Sequence, residues 1–158
     1  MPNWCSNSVT ISGDSEKIKE LGAIITKGLE NDMCFQAIRP KPEDVEDWYG
    51  WNVANWGTKW DINPNNFSIE DDIIYLDFDS AWSPPIALYD YLTEQGFDVE
   101  AKYYEPGMAF VGSYEDGMDY CSDLDFSSEN WRDDISSELI DWAGLEEEYE
   151  YVMDMYND

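Results

Sequence analysis

The sequence contains no histidine, and only eight of its 158 residues are lysine or arginine. The first absence removes Ser-His-Asp and Cys-His catalysis, along with His-ligated zinc, copper and haem. The second argues against direct binding of nucleic acid, because phosphate contacts need cations. Cysteine is also scarce. Cys5, Cys34 and Cys121 form no CxxC and no close pair, which speaks against a structural zinc site. Such scattered thiols belong in a reducing compartment, buried, and do not form a disulfide frame. No apolar run approaches the roughly 18 residues of a membrane span, and the opening residues do not read as a signal peptide. The expectation is a cytoplasmic protein with no cofactor, no metal and no membrane partner.

What the sequence has instead is acid. Thirty-six Asp and Glu give a formal charge of −28, and the excess is uneven. Residues 1–102 hold seven basic and nineteen acidic side chains; residues 103–158 hold one and seventeen. Acid spread for solubility alone would be expected over the whole chain. Acid gathered towards one end favours a basic partner. Apolar residues at 43% and aromatics at 16% still allow a packed core, since each aromatic buries on the order of 150–250 Å².

Periodicity along the chain predicts alternating α and β elements. In "NSVTISGD", Val9 and Ile11 share one strand face. "DSEKIKELGAIITKGLEN" has Asp14 or Ser15 to cap a helix that carries Ile18, Leu21, Ile25 and Leu29 on one side. "CFQAIRP" reads as a second short strand, and "PEDVEDWYGWNVANWG" as a helix opened by Pro42 and closed by Gly57. "FSIEDDIIYLDFD" reads as two strands about an Asp-rich turn. In "SPPIALYDYLTEQG", Ser83 is the expected cap of a helix that Gly96 ends. Pro106-Gly107 predicts a type II turn in a hairpin, and "EDGM" a second turn leading to an edge strand. Residues 128–157 read as helix with a break near Ala143-Gly144, Trp131, Ile135, Leu139 and Trp142 forming one apolar stripe and Leu145, Tyr149, Val152 and Tyr156 another. The fold class is therefore α+β, a largely antiparallel sheet with helices packed on it. Residues 1–158 form one domain, with a core over 1–112 and an edge strand and acidic helices over 113–158.

Four stretches in register, "MPNWCSNSVTISG", "NWGTKWD", "FDSAWSPP" and "YYEPGMAFVG", resemble the YubB ferredoxin-like family of phage, plasmid and prophage proteins. The resemblance runs from Met1 to about Gly112. It implies a ferredoxin-like sandwich without an iron–sulfur cluster and an origin in a mobile element. It carries over no active site, and the acidic tail lies beyond it.

The window "WYGWNVANWGTKWD" holds Trp48, Trp51, Trp56 and Trp60. Single-strand binders stack bases on such platforms, but in a positive groove, and Lys59 is the window's one cation. The preferred reading is structural: tryptophan packing, with Lys59 nearly buried against a carboxylate. Trp56, Gly57, Lys59, Trp60, Asp61, Trp82, Pro84, Glu105 and Gly107 are accordingly taken as structural motif residues. Ser83 lacks a base that would make it a nucleophile. Asp123, Asp125, Ser127 and Asp134 fall at EF-hand positions, but Ser128 replaces the turn glycine and Asp134 the bidentate Glu, so no metal centre is assigned.

The stronger candidate is an acidic face on the tail, formed by Asp133, Asp134, Glu138, Asp141, Glu146, Glu147, Glu150 and Asp154. Rows of carboxylates on docked helices imitate duplex phosphates. The leading expectation is thus a non-enzymatic, DNA-mimic-type inhibitor of a basic, nucleic-acid-binding host defence protein. The alternative is a protein-binding or self-association module using the sheet or an apolar patch. A carboxylate-based enzyme stands third.

Overall fold

The computed structural model describes residues 3–157, leaving Met1 and Pro2 of the first motif outside. β1 (Trp4–Ser12) buries Cys5, Asn7, Val9 and Ile11 and turns the residues between them the other way. α1 (Ser15–Leu29) is capped by Asp14, whose carboxylate accepts the Lys17 N–H. It buries Ile18, Leu21 and Ile25, with Leu29 packed beside them.

The stretch expected as a second strand is instead a short helix, α2 (Cys34–Ile38). The cause lies 25 residues on: the Asp61 carboxylate accepts the N–H groups of Phe35 and Gln36 at 2.6 and 3.0 Å. A cap supplied from so far along the chain leaves no local signature. α3 (Trp48–Asn55) starts later than Pro42 predicts, where Asp47 accepts the Gly50 N–H. Gly57 follows at φ +94°, and a Cβ there would meet the backbone nitrogens of Ile86 and Ala87 at 2.8 and 2.9 Å.

β2 (Asn66–Glu70) and β3 (Ile73–Ala81) form a hairpin through Asp71 and Asp72, both left-handed, as a two-residue turn of this twist requires. α4 (Ile86–Glu94) begins after Pro85, and Ser83 does not cap it: the Ser83 hydroxyl donates to the Gly57 carbonyl at 2.7 Å. β4 (Asp98–Glu105) leads to β5 (Phe110–Glu115) by a loop that is not the expected type II turn. The left-handed residue there is Ala109, not Gly107. The Glu105 carboxylate shapes this loop by accepting the N–H groups of Gly107 and Met108 at 2.6 and 2.7 Å.

β6 (Met118–Asp123) completes the sheet. The tail then departs from expectation: residues 128–136 are turns, and helix begins only where Ser136 accepts the Leu139 N–H. α5 (Ser137–Ala143) and α6 (Leu145–Asn157) are separated by Gly144 at φ 65°, the predicted break.

All pairings are antiparallel, in the order β2-β3-β1-β4-β5-β6. The first four strands have the ferredoxin-like arrangement, and β5–β6 extends it. α1, α2 and α4 cover the inner face over a core of Val9, Ile11, Ile74, Leu76, Phe78 and Val99. The outer face is covered only towards β5. There Val111 and Tyr104 meet Trp131, Ile135, Leu139, Ile140 and Leu145. Tyr156, expected on the apolar stripe, is 80% exposed, because that cluster ends at Tyr149 and the last turn of α6 runs past it. Among the described residues, no helix is long and apolar enough to cross a membrane.

Candidate functional site

The four sequence motifs meet at one end of the sheet, where β1 begins and β3 and β4 finish. A buried polar network joins them. Asn7 Nδ2 donates to the Cys5 carbonyl at 3.0 Å and to Ser80 Oγ at 2.9 Å, and Tyr89 OH donates to Asn7 Oδ1 at 3.2 Å. Ser80 Oγ donates to the Ser83 carbonyl and Thr58 Oγ1 to the Ala81 carbonyl, each at 2.7 Å. With the Ser83–Gly57 bond, the loop after α3 is welded to the end of β3. Pro84 follows directly. Glu105 closes the neighbouring corner, and a Cβ on Gly107 would meet the Asn3 side chain at 2.7 Å. Asp61 is spent on α2, with a third N–H from Ile62. Burial still holds its pKa above the usual carboxylate value, against those bonds. The polar motif side chains Asn7, Thr58, Asp61, Ser80, Ser83 and Glu105 are thus engaged in holding the frame together. Burial also pushes the Cys5 thiol up to about 12, so it stays protonated and is a poor nucleophile.

The tryptophan window divides. Trp56 is 2% exposed and packs edge-on against Phe35 and Trp51. Trp48 and Trp60 do not pack as expected and are 46% and 37% exposed. α3 has too few turns to lay every ring on the core, and Trp60 lies beyond its end. Trp60 stands 6.4 Å from Trp4, itself half exposed, and Trp82 is exposed nearby in sequence to the network at φ 71°. Lys59 has no carboxylate partner among the described residues. Its Nζ sits 4.5 Å from the Trp60 ring centre instead, while the Asp61 carboxylate is turned to the N–H groups of Phe35, Gln36 and Ile62.

The acidic face is only partly as expected. Asp133, Asp134, Asp141, Glu147, Glu150 and Asp154 are exposed. Glu138 and Glu146 are not free: Lys102 Nζ lies 2.7 Å from Glu138 Oε1, and Arg132 holds both Glu146 oxygens at 2.6 Å. Arg132 also stacks over Trp131 and Tyr149. Its hydrogen bonds pull the Glu146 pKa down. These two pairs pin α5 to β4 and α6 to the loop before α5.

Sequence reasoning missed the outer sheet face beside α5. Glu70, Asp77, Asp79, Glu100 and Glu115 all point there, interleaved with Ser6, Ser8 and Thr10. The signal was present in "IIYLDFD", where Asp77 and Asp79 alternate with buried Leu76 and Phe78. The other six cations, Lys17, Lys19, Lys27, Arg39, Lys41 and Lys59, all lie on α1 or in the segments flanking α2 and α3. The cations are therefore sorted by face, although the same segments, residues 14–61, also carry ten acids. Asp123 and Asp125 lie apart in role: Asp125 accepts the N–H and hydroxyl of Ser127, which lowers its pKa.

No family model and no curated protein matches the chain. Among solved structures it is similar to the crystal structure of a protein api92 from Yersinia pseudotuberculosis, of the family DUF1281. The identity is 11%, over 79% of this chain and 99% of that one, with a TM-score of 0.49.

Proposed function

We propose that the chain is a non-enzymatic, cytoplasmic binding protein that presents carboxylates to the basic surface of a nucleic-acid-handling host protein. The likeness of its motifs to the YubB ferredoxin-like family adds an origin in a phage or other mobile element. The observation that carries the reading is the placement of the cations. On the outer sheet face and tail, the two cations, Lys102 and Arg132, are both tied to carboxylates, so a field of unpaired acid faces outward. Such a field steers a basic partner to encounter and weakens with salt. The engagement of the buried polar motif residues in the frame supports a non-catalytic role.

Copurification from bacterial lysate at low and high salt, read by mass spectrometry, tests this. Nucleic-acid-binding proteins should be enriched and released as salt rises. Capture indifferent to salt, or no such enrichment, sinks the proposal. A second reading has its own observation: Trp4, Trp60 and Trp82 leave an aromatic patch exposed at the motif end, and aromatic residues anchor protein interfaces. Neutralising Asp134, Asp141 and Glu147 together abolishes binding under the first reading and spares it under the second.

A further inference from the structure

We infer that the outer edge of β6 receives an extended basic segment of the partner as a seventh strand. This rests on the acidic-binding reading and specifies how the contact is made. The register fixes which backbone groups are free. β5 and β6 are joined by Asp116 and Gly117, both at positive φ, the two-residue turn whose flanking residues form a hydrogen-bonded pair. Alternate pairs then bond across the hairpin: Glu115 with Met118, Ser113 with Tyr120, Val111 with Ser122. The Leu124 N–H continues the alternation by donating to the Ala109 carbonyl at 2.7 Å.

Asp119, Cys121 and Asp123 therefore turn their N–H and C=O groups away from β5. Among the described residues none of these groups finds a partner. The strand is six residues long, pairs without a bulge, contains no proline, and is exposed at every position but Ser122. α5 and α6 lie on the sheet's outer face and leave the edge itself uncovered.

Charge selects the occupant. Asp119 and Asp123 stand on the strand and Glu115 and Asp116 at its turn, with Asp119 fixed by the Tyr103 hydroxyl. A second copy does not fit. β6 carries no cation, and the opposite edge, β2, ends at Glu70 and runs into the Asp71-Asp72 turn, so pairing of copies sets carboxylate against carboxylate. A charged edge turns away neutral and acidic strands and accepts Lys or Arg across from its acids.

The test uses the full chain and an end-capped heptapeptide of alternating Lys and Val. The amides of Asp119, Cys121 and Asp123 should exchange quickly in the free protein and slow at least about tenfold with peptide bound. N-methylating alternate peptide amides should weaken binding by about tenfold or more, since it removes the added ladder and leaves the charge. Equal binding of the methylated peptide, or protection elsewhere, overturns the inference. Cys121→Pro should fold normally, as its N–H is outside the ladder, and lose the peptide. Should that variant unfold, the methylated peptide decides alone. Dimers that Cys121→Pro abolishes would also overturn it, in favour of a second copy. A salt-sensitive nucleic-acid-binding partner that binds Cys121→Pro as well as wild type would sink the edge inference and spare the proposed function. Peptide binding with no such partner captured would do the reverse.

Discussion

Replacing Glu105 separates a carboxylate held for the fold from one held for chemistry. It is 1% exposed, pairs with no cation among the described residues, and gives one oxygen to each of two loop N–H groups at 2.6 and 2.7 Å. Hydrogen bonds to a charged group contribute about 1.5–3 kcal/mol each, and an orphaned buried donor costs about 1–3 kcal/mol. Glu105→Gln keeps one acceptor but turns an amide NH₂ against the other N–H. Relief from burying a charge offsets part of that loss, leaving about 2 kcal/mol of destabilisation. Glu105→Ala orphans both donors and opens a cavity beside Asn3 and Cys5, for about 4 kcal/mol. Urea denaturation reads both. At a slope of about 2 kcal/mol/M, the midpoints should fall by about 1 M and 2 M with the slope unchanged. A carboxylate kept for catalysis at the expense of the fold gives the opposite sign, because removing it stabilises. A Glu105→Gln midpoint at or above wild type refutes the structural account.

Other outcomes follow from the same geometry. Trp56→Ala should cost about 3–5 kcal/mol in urea unfolding, whereas Trp60→Ala, at 37% exposure, should cost under about 1 kcal/mol. Cys5 and Cys34 are held at about 12 by burial, against an ordinary 9.0. The native state therefore keeps protons that the unfolded chain loses above pH 9, and stability falls as pH rises through that window. At pH 10 the loss is about 1.4 kcal/mol per thiol, measurable against the Cys34→Ala variant. Glu146 shifts the other way, so its contribution with Arg132 is present above its unfolded pKa near 4.5 and lost as pH falls below. The pH dependence of melting should flatten there in Arg132→Met.

Residues whose partners are local were legible in the sequence. Asp14 caps α1 three residues ahead, Gly144 breaks the tail, and the alternation in β1 and β3 declares which side chains are inside. Errors fell where a partner is distant. α2 passed for a strand because its cap, Asp61, lies beyond α3. Ser83 passed for a cap because its true acceptor, Gly57, comes from another loop. Pro106-Gly107 looked like a local turn, although the Glu105 carboxylate sets the loop's shape. The acidic site shows the same limit. Composition located the excess of acid along the chain, but only strand register reveals that Asp77, Asp79 and Glu100 share a face with α5.

That register also alters what the charge can do. A helix face of carboxylates alone is an ordinary solvated surface. Here the two cations on that side are withdrawn into pairs that pin the tail to the sheet, so the ion pairs fix geometry while the unpaired acids keep their field. Lys102→Met separates these roles. It removes one positive charge and releases Glu138, so a partner drawn by charge should associate faster at low salt and lose that gain as salt screens it. A partner gripped through Trp4 and Trp60 should show no change in association rate. Slower association in Lys102→Met, with the fold intact, would mean that the pinned position of α5 matters more than the charge it presents.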